Sequence, residues 1–133
     1  MDDSTTSLRA ASYAAGLARR QGASVTAVYV GPIASLGAGT AGGAALLATQ
    51  RQATQEIAEG LRQRAEEASG DLGISITFIA VEGDPYTELR RIADEIRADA
   101  VVVGASAKAG HRLIGSLAVR LVRAGRWPVT VVP

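Results

Sequence analysis

The most chemically pointed stretch of this chain is Val103-Gly104-Ala-Ser106-Ala107-Lys108-Ala-Gly-His111-Arg112-Leu-Ile-Gly115-Ser116. A short apolar run ends on a glycine, where backbone can approach a ligand closely. Ser106, Lys108, His111 and Arg112 then supply hydrogen-bond donors. Gly115 and Ser116 fall in the first turn of a helical pattern, where unpaired amides and the positive end of the macrodipole favour a phosphate. Such a loop holds an anion without any catalytic group. It contains neither G-x-x-x-x-G-K-[ST] nor G-x-G-x-x-G, so it is not a Walker loop or a dinucleotide fingerprint. A plain Gly/Ala connector with incidental cations fits the same spacing.

Charge is distributed to match. Residues 100–133 hold five Lys or Arg and no acid, a local charge of +5, against −4 for the rest of a chain whose net charge is +1. A basic terminal segment suggests an anionic partner. An Arg-rich outer helix face, paired with acids elsewhere in the fold, is the plainer alternative.

Composition narrows the remaining classes. Cysteine is absent and His111 is the one histidine, which removes thiolate sites and multi-histidine metal centres and leaves a histidine relay hard to build. Aromatics are 4% of residues, too few for a base-stacking platform, and the small net charge recruits no polyanion, so a nucleic-acid partner is not expected. No apolar run approaches the ~20 residues of a membrane span. The start, Met-Asp-Asp-Ser, has neither a basic nor an apolar leader region. The expected compartment is the cytoplasm.

The elements that position these residues alternate between two periods. Helical patterns cover 4–21, 44–69, 85–98 and 113–124, and short β-branched apolar runs cover 23–30, 74–81, 99–104 and 128–133. Core positions are expected at Leu8, Ala11, Ala15 and Ala18, at Leu47, Ala53, Ile57, Leu61, Ala65 and Ala68, and at Leu89, Ile92, Ala93 and Ile96. Asp84 followed by Pro85 is an N-cap with proline at the first helical position. One domain with no repeat or linker fits 133 residues. Continuously apolar strands alternating with helices give a doubly wound, mostly parallel open α/β sheet covered on both faces, Rossmann-like. Ligands in such sheets sit beyond the carboxyl ends of the strands, and the loop after Gly104 lies at such an end. One anomaly stands out: the chain opens directly on a helix, where a doubly wound domain begins with a strand.

These residues resemble the universal stress protein family of the adenine-nucleotide α-hydrolase-like superfamily. The resemblance runs over nearly the whole chain, through Ala-Ser-Val-Thr-Ala-Val-Tyr-Val30, Glu82-Gly83-Asp84-Pro85, Asp99-Ala-Val-Val-Val-Gly104, Gly115-Ser116 and Pro128-Val-Thr-Val-Val-Pro133. It implies a small cytoplasmic, usually dimeric stress-response protein. One branch of the family binds ATP through G-x2-G-x9-G-[ST], and another lacks that motif and binds no nucleotide. Gly104 matches the first glycine and Gly115-Ser116 the last pair. Ala107 replaces the second glycine, and seven residues, not nine, separate it from Gly115. The resemblance places Asp2, in a variant of the family's D-G-S motif, and Val30 on the adenine side. By the same comparison the absent strand is the family's first, central one, and a truncated or misassigned start is expected.

Three functions follow. The first is a regulatory module binding ATP or another adenine nucleotide, with Mg as a companion, through Gly104, Ser106, Lys108, Arg112, Gly115 and Ser116, and at most slow hydrolysis. The second is a dimeric stress-response interaction protein without nucleotide, acting on a regulatory protein partner not identifiable from the sequence. The third, least supported, is an adenylyl-transferring enzyme. No residue is assigned a catalytic role. The closing strand, an apolar edge flanked by prolines, is expected to form a homodimer through Val129–Val132.

Overall fold

In a computed structural model the described residues are 1–2, 4–34, 41–105 and 115–133. Their order is α1 (Thr5–Gln21), β1 (Val25–Gly31), α2 (Gly43–Leu72), β2 (Ile76–Glu82), α3 (Pro85–Glu95), β3 (Val101–Gly104), α4 (Ser116–Ala124) and β4 (Val129–Val132). The alternation of strand and helix is as the sequence periods predict. Both strand ladders are parallel, β1 with β2 and β3 with β4. The expected open sheet is interrupted: the described strands form two separate pairs, β1-β2 and β3-β4.

Local chemistry explains most boundaries. Ser4 caps α1 by accepting from the Ser7 amide, and Gly22, at φ 64°, ends it in the left-handed conformation a side chain disfavours. Asp84 caps α3 by accepting from the Thr87 amide, with Pro85 behind it. Two helix ends differ from expectation. Helix α2 runs past Gly70 to Leu72 and stops at Gly73, φ 63°. Helix α3 stops at Glu95 and the chain reverses at Arg97, which takes φ 53° without being glycine.

The helices cover both faces. Val101 and Val103 on β3 pack with Ala93 of α3 and with Ala118 and Leu121 of α4; Leu89, Leu117, Trp127, Val129 and Val131 close around them. Leu121 is fully buried. The opposite face of β3 meets α1, whose buried side chains are Ala10, Ala15 and Ala18. Small residues there let backbones approach. A Cβ built on Gly104 would lie 2.6 Å from the Thr6 carbonyl oxygen and 2.9 Å from the Ser7 amide nitrogen. On the other strand pair, α2 buries Leu61 and Ala65. Two of its expected core residues are not buried: Ala53 and Ile57 are exposed, Ile57 by 44%. Ile96 is likewise exposed, because α3 ends before it.

Candidate functional site

The carboxyl end of β3 meets the start of α1, and the lead-in to α1 reaches the middle of β1. The Val25 amide donates to Ser75 O and the Gly83 amide to Gly31 O. A strand residue sends its N–H and C=O to the same edge, so Val25, Ala27, Tyr29 and Gly31 face β2, while Thr26, Val28 and Val30 turn the other way. On β3 the Val101 amide reaches Pro128 O and the Ala105 amide reaches Val132 O, which turns Val102 and Gly104 away from β4. Between these two inward edges lies the lead-in to α1. The Met1 amino group donates to Val28 O. The Asp2 amide donates to Ser7 Oγ at 3.0 Å, and Asp2 Oδ1 accepts from the Ser4 amide at 3.0 Å and from the Ser4 hydroxyl.

Asp2, Ser7, Gly104 and the β1 edge are therefore joined by a short chain of contacts. The run Ser4-Thr-Thr-Ser7 reads from the sequence as helix N-cap material, and Ser4 is that cap, while the bond from the Asp2 amide to Ser7 Oγ is a contact the sequence does not announce. Partial burial pushes the Asp2 carboxyl up, but the bonds from Ser4, the chain's amino-terminal charge and Ser7 outweigh it, and the net shift is below the ordinary aspartate range. Burial, and after it the Asp2 charge, push the Tyr29 phenol up. Tyr29 is 6% exposed, packed into the strand end and not presented to a ligand.

Gly104 has a local reason to be glycine that its sequence context hid. The backbone that comes close to it belongs to α1. Val30 is half-buried, with its peptide groups outside the β1–β2 ladder. Gly115 is the N-cap of α4, at φ −57° and ψ 154°, and Ser116 is the first helical residue. Among the described residues no side chain caps this helix, and no acid lies in its first turn. The first intrahelical bond runs from the Val119 amide to Gly115 O at 3.2 Å, which leaves the amides of Ser116, Leu117 and Ala118 ahead of it. No hydrogen bond among the described residues ties Gly115 or Ser116 to the Asp2 cluster. Ser106, Lys108 and Arg112, with Ala107 and His111, lie outside the described residues.

Arg120 of α4 and Arg126 in the turn after it serve the plainer purpose weighed above. Arg120 Nη1 lies 3.3 Å from Asp84 Oδ1, and its guanidinium sits 4.1 Å from the Tyr86 ring centre. Arg126 lies 3.1 Å from Asp94. Both arginines tie the outer face to α3. Among the described residues no group of three or more His, Cys, Asp or Glu could hold a metal ion.

Comparison with known proteins places this arrangement. The model of the universal stress protein family matches residues 1–133. A universal stress protein of Methanocaldococcus jannaschii is 32% identical, over 98% of this chain and 77% of its own length. A universal stress family protein from Burkholderia pseudomallei superposes with a TM-score of 0.70 at 25% identity, covering 100% of this chain and 91% of the other. The universal stress protein UspA from Lactobacillus plantarum shares the fold, with a TM-score of 0.77 at 22% identity and coverage of 100% and 93%. A universal stress protein solved in complex with cAMP aligns with a TM-score of 0.68 at 25% identity, over 99% of this chain and 90% of its own.

Proposed function

We propose, from the premise that this chain belongs to the universal stress protein family, that it is a stress-response regulator binding an adenine nucleotide at the carboxyl ends of β1 and β3. The observation that carries the reading is the opening of α4. Among the described residues its first-turn amides have no side-chain cap, and no acid lies in that turn, which suits a phosphate. Gly115 adopts a backbone conformation open to any residue, so its lack of a side chain serves approach and not geometry. On the base side, Val30 offers peptide groups outside the ladder and Asp2 a carboxylate held ionised by Ser4. Ser106, Lys108 and Arg112 would add cationic and hydroxyl donors from the connecting segment. The relative solved with cAMP supports an adenine nucleotide as the ligand class.

These residues fit ATP at its phosphates better than they fit a resident metal. With no acidic cluster among the described residues, Mg²⁺ would be held by the triphosphate, where it would neutralise charge. No described group is placed for fast hydrolysis, and the proposed role is regulatory. Among the described residues no helix is long and apolar enough to cross a membrane, and the proposed setting is the cytoplasm.

Calorimetric titration with ATP, ADP and cyclic AMP tests the reading. At least one should bind below ~100 μM, or roughly −5.5 kcal/mol. Gly115→Val should abolish that binding and leave the circular dichroism spectrum unchanged. Silence from all three nucleotides favours the second reading, an interaction protein without nucleotide. That reading draws on Gly104 lying against α1 and on Arg120 and Arg126 being engaged by acids.

Homodimerisation through Val129–Val132 belongs to either reading. Pro128 O and Val132 O accept from β3, so alternation sends the amides of Val129 and Val131 to the outer edge, where a second copy could pair about a two-fold axis.

A further inference from the structure

Two strand edges inside this fold lack a strand partner. Alternation on β1 turns the N–H and C=O groups of Thr26, Val28 and Val30 away from β2, and on β3 it turns those of Val102 and Gly104 away from β4. The two strand pairs are not joined to each other. Among the described residues the one hydrogen bond made to these inward groups runs from the Met1 amino group to Val28 O. The two edges run the same way, because α1 begins against Gly104 at the end of β3 and finishes at the turn into Val25 at the start of β1. Both faces of the gap are roofed. Helix α1 touches β1 and β3 on one side; on the other, α3 touches β1 and packs Ala93 on Val101 and Val103. A helix is about 10 Å across and neighbouring strands stand about 4.8 Å apart, so a helix that reaches both unpaired strands bridges a gap about one strand wide.

That geometry selects the occupant. Peptide groups inside a fold require hydrogen-bond partners, and only another peptide backbone offers donors and acceptors to both edges at strand spacing. The occupant must itself be free along both edges. Each described strand of this chain is already paired along one edge, so no described strand of a second copy fits. The roofs are apolar: α1 buries Ala10, Ala15 and Ala18, and α3 buries Ile92 and Ala93. Alternate side chains of the occupant would therefore all meet apolar surface, which favours β-branched residues. We infer that the gap between β1 and β3 is an acceptor for an extended apolar segment of another polypeptide, about five residues long, added as a strand that joins the two ladders. The incoming backbone replaces the Met1 amine on Val28 O. The inference does not depend on nucleotide binding and is separate from pairing at the β4 edge.

The probe is a capped synthetic peptide, Glu-Lys-Val-Ile-Val-Ala-Val-Glu-Lys, offered to the full 133-residue chain. Fluorescence anisotropy should show binding below ~100 μM. N-methylation at its second and fourth apolar residues removes the donors of one edge and should weaken binding about tenfold or more. This comparison needs no altered protein, so it is free of folding defects. Amide hydrogen exchange followed by NMR gives the location. The peptide should slow exchange about tenfold at Thr26, Val28, Val30, Val102 and Gly104. It should leave Phe78, Ala80, Val129 and Val131 unchanged, since alternation turns these to the outer edges. Protection at the outer edges instead, unchanged exchange at the five inward amides, equal affinity for the methylated peptide, or no binding up to about 1 mM overturns the inference.

Discussion

Alanine at position 104 is the sharpest probe of how β3 meets α1. The added Cβ would fall 2.6 Å from Thr6 O, 2.7 Å from the Thr6 carbonyl carbon and 2.9 Å from the Ser7 nitrogen. All three are backbone atoms in the first turn of a helix, so no rotamer change relieves the clash. Overpacking of this kind costs about 1–3 kcal/mol, and a rigid neighbour puts Gly104→Ala near the upper end. For 133 residues, an unfolding entropy of ~2.1 cal/mol/K per residue turns 3 kcal/mol into a Tm loss of about 10 °C. Gly31→Ala is the graded control: its nearest neighbour is the Thr54 side-chain methyl at 2.7 Å, which can shift, so a smaller loss is expected. Gly60→Ala is the control of opposite sign. It meets nothing within 4 Å and should raise stability by about 1 kcal/mol at concentrations where the protein is monomeric. Thermal melts followed by far-UV circular dichroism measure all three. A Gly104→Ala variant melting within 2 °C of the parent would refute the close contact between β3 and α1.

Other expectations follow from single contacts. Leu121→Ala empties the centre of the cluster on α3, α4 and β3, where Leu121 is 0% exposed, and should cost about 2–5 kcal/mol in denaturant unfolding. Asp84 has its carboxyl held below the ordinary aspartate range, first by the Thr87 amide, then by the Thr87 hydroxyl, with Arg120 contributing. A depressed folded pKa means that its stabilising contribution is present above the unfolded value and disappears as pH falls through the folded one. Asp84→Asn should therefore flatten the acid limb of a stability–pH curve below about pH 4 while retaining an N-cap at neutral pH. Salt should matter little to the Arg126–Asp94 pair's share of stability, since exposed pairs contribute ~0–1 kcal/mol; Arg126→Gln should shift the denaturant midpoint only slightly.

The order of elements was readable because each boundary is set by nearby residues. Asp84 and Pro85 announce the start of α3, Ser4 that of α1, and Gly22 and Gly125 end their helices in the left-handed conformation. Where the local signal is ambiguous, tertiary contacts decide. Gly70 reads as a stop but lies inside α2, because Gly73 is the residue placed at the turn. Arg97 adopts a glycine-like conformation with no glycine to announce it. The periodicity of α2 marks Ala53 and Ile57 as core, yet only the flank through Leu61 and Ala65 reaches the strands. Composition could not reveal which flank that is. The site was legible in part for the same reason. Asp2 is bonded to Ser7 and Gly104 lies against the Thr6–Ser7 backbone, but the contact that explains Gly104 joins residues nearly a hundred positions apart. The basic terminal segment looked like an anion trap, and for Arg120 and Arg126 the acids of α3 provide the answer.

The break between β1-β2 and β3-β4 governs how this fold would come apart. A continuous ladder shares strain peptide by peptide along its hydrogen bonds. Here the described halves communicate through helix packing, with the alanine face of α1 as the seam. Trimming that seam should split one melting transition into two, the way a book loses its halves when the spine is cut.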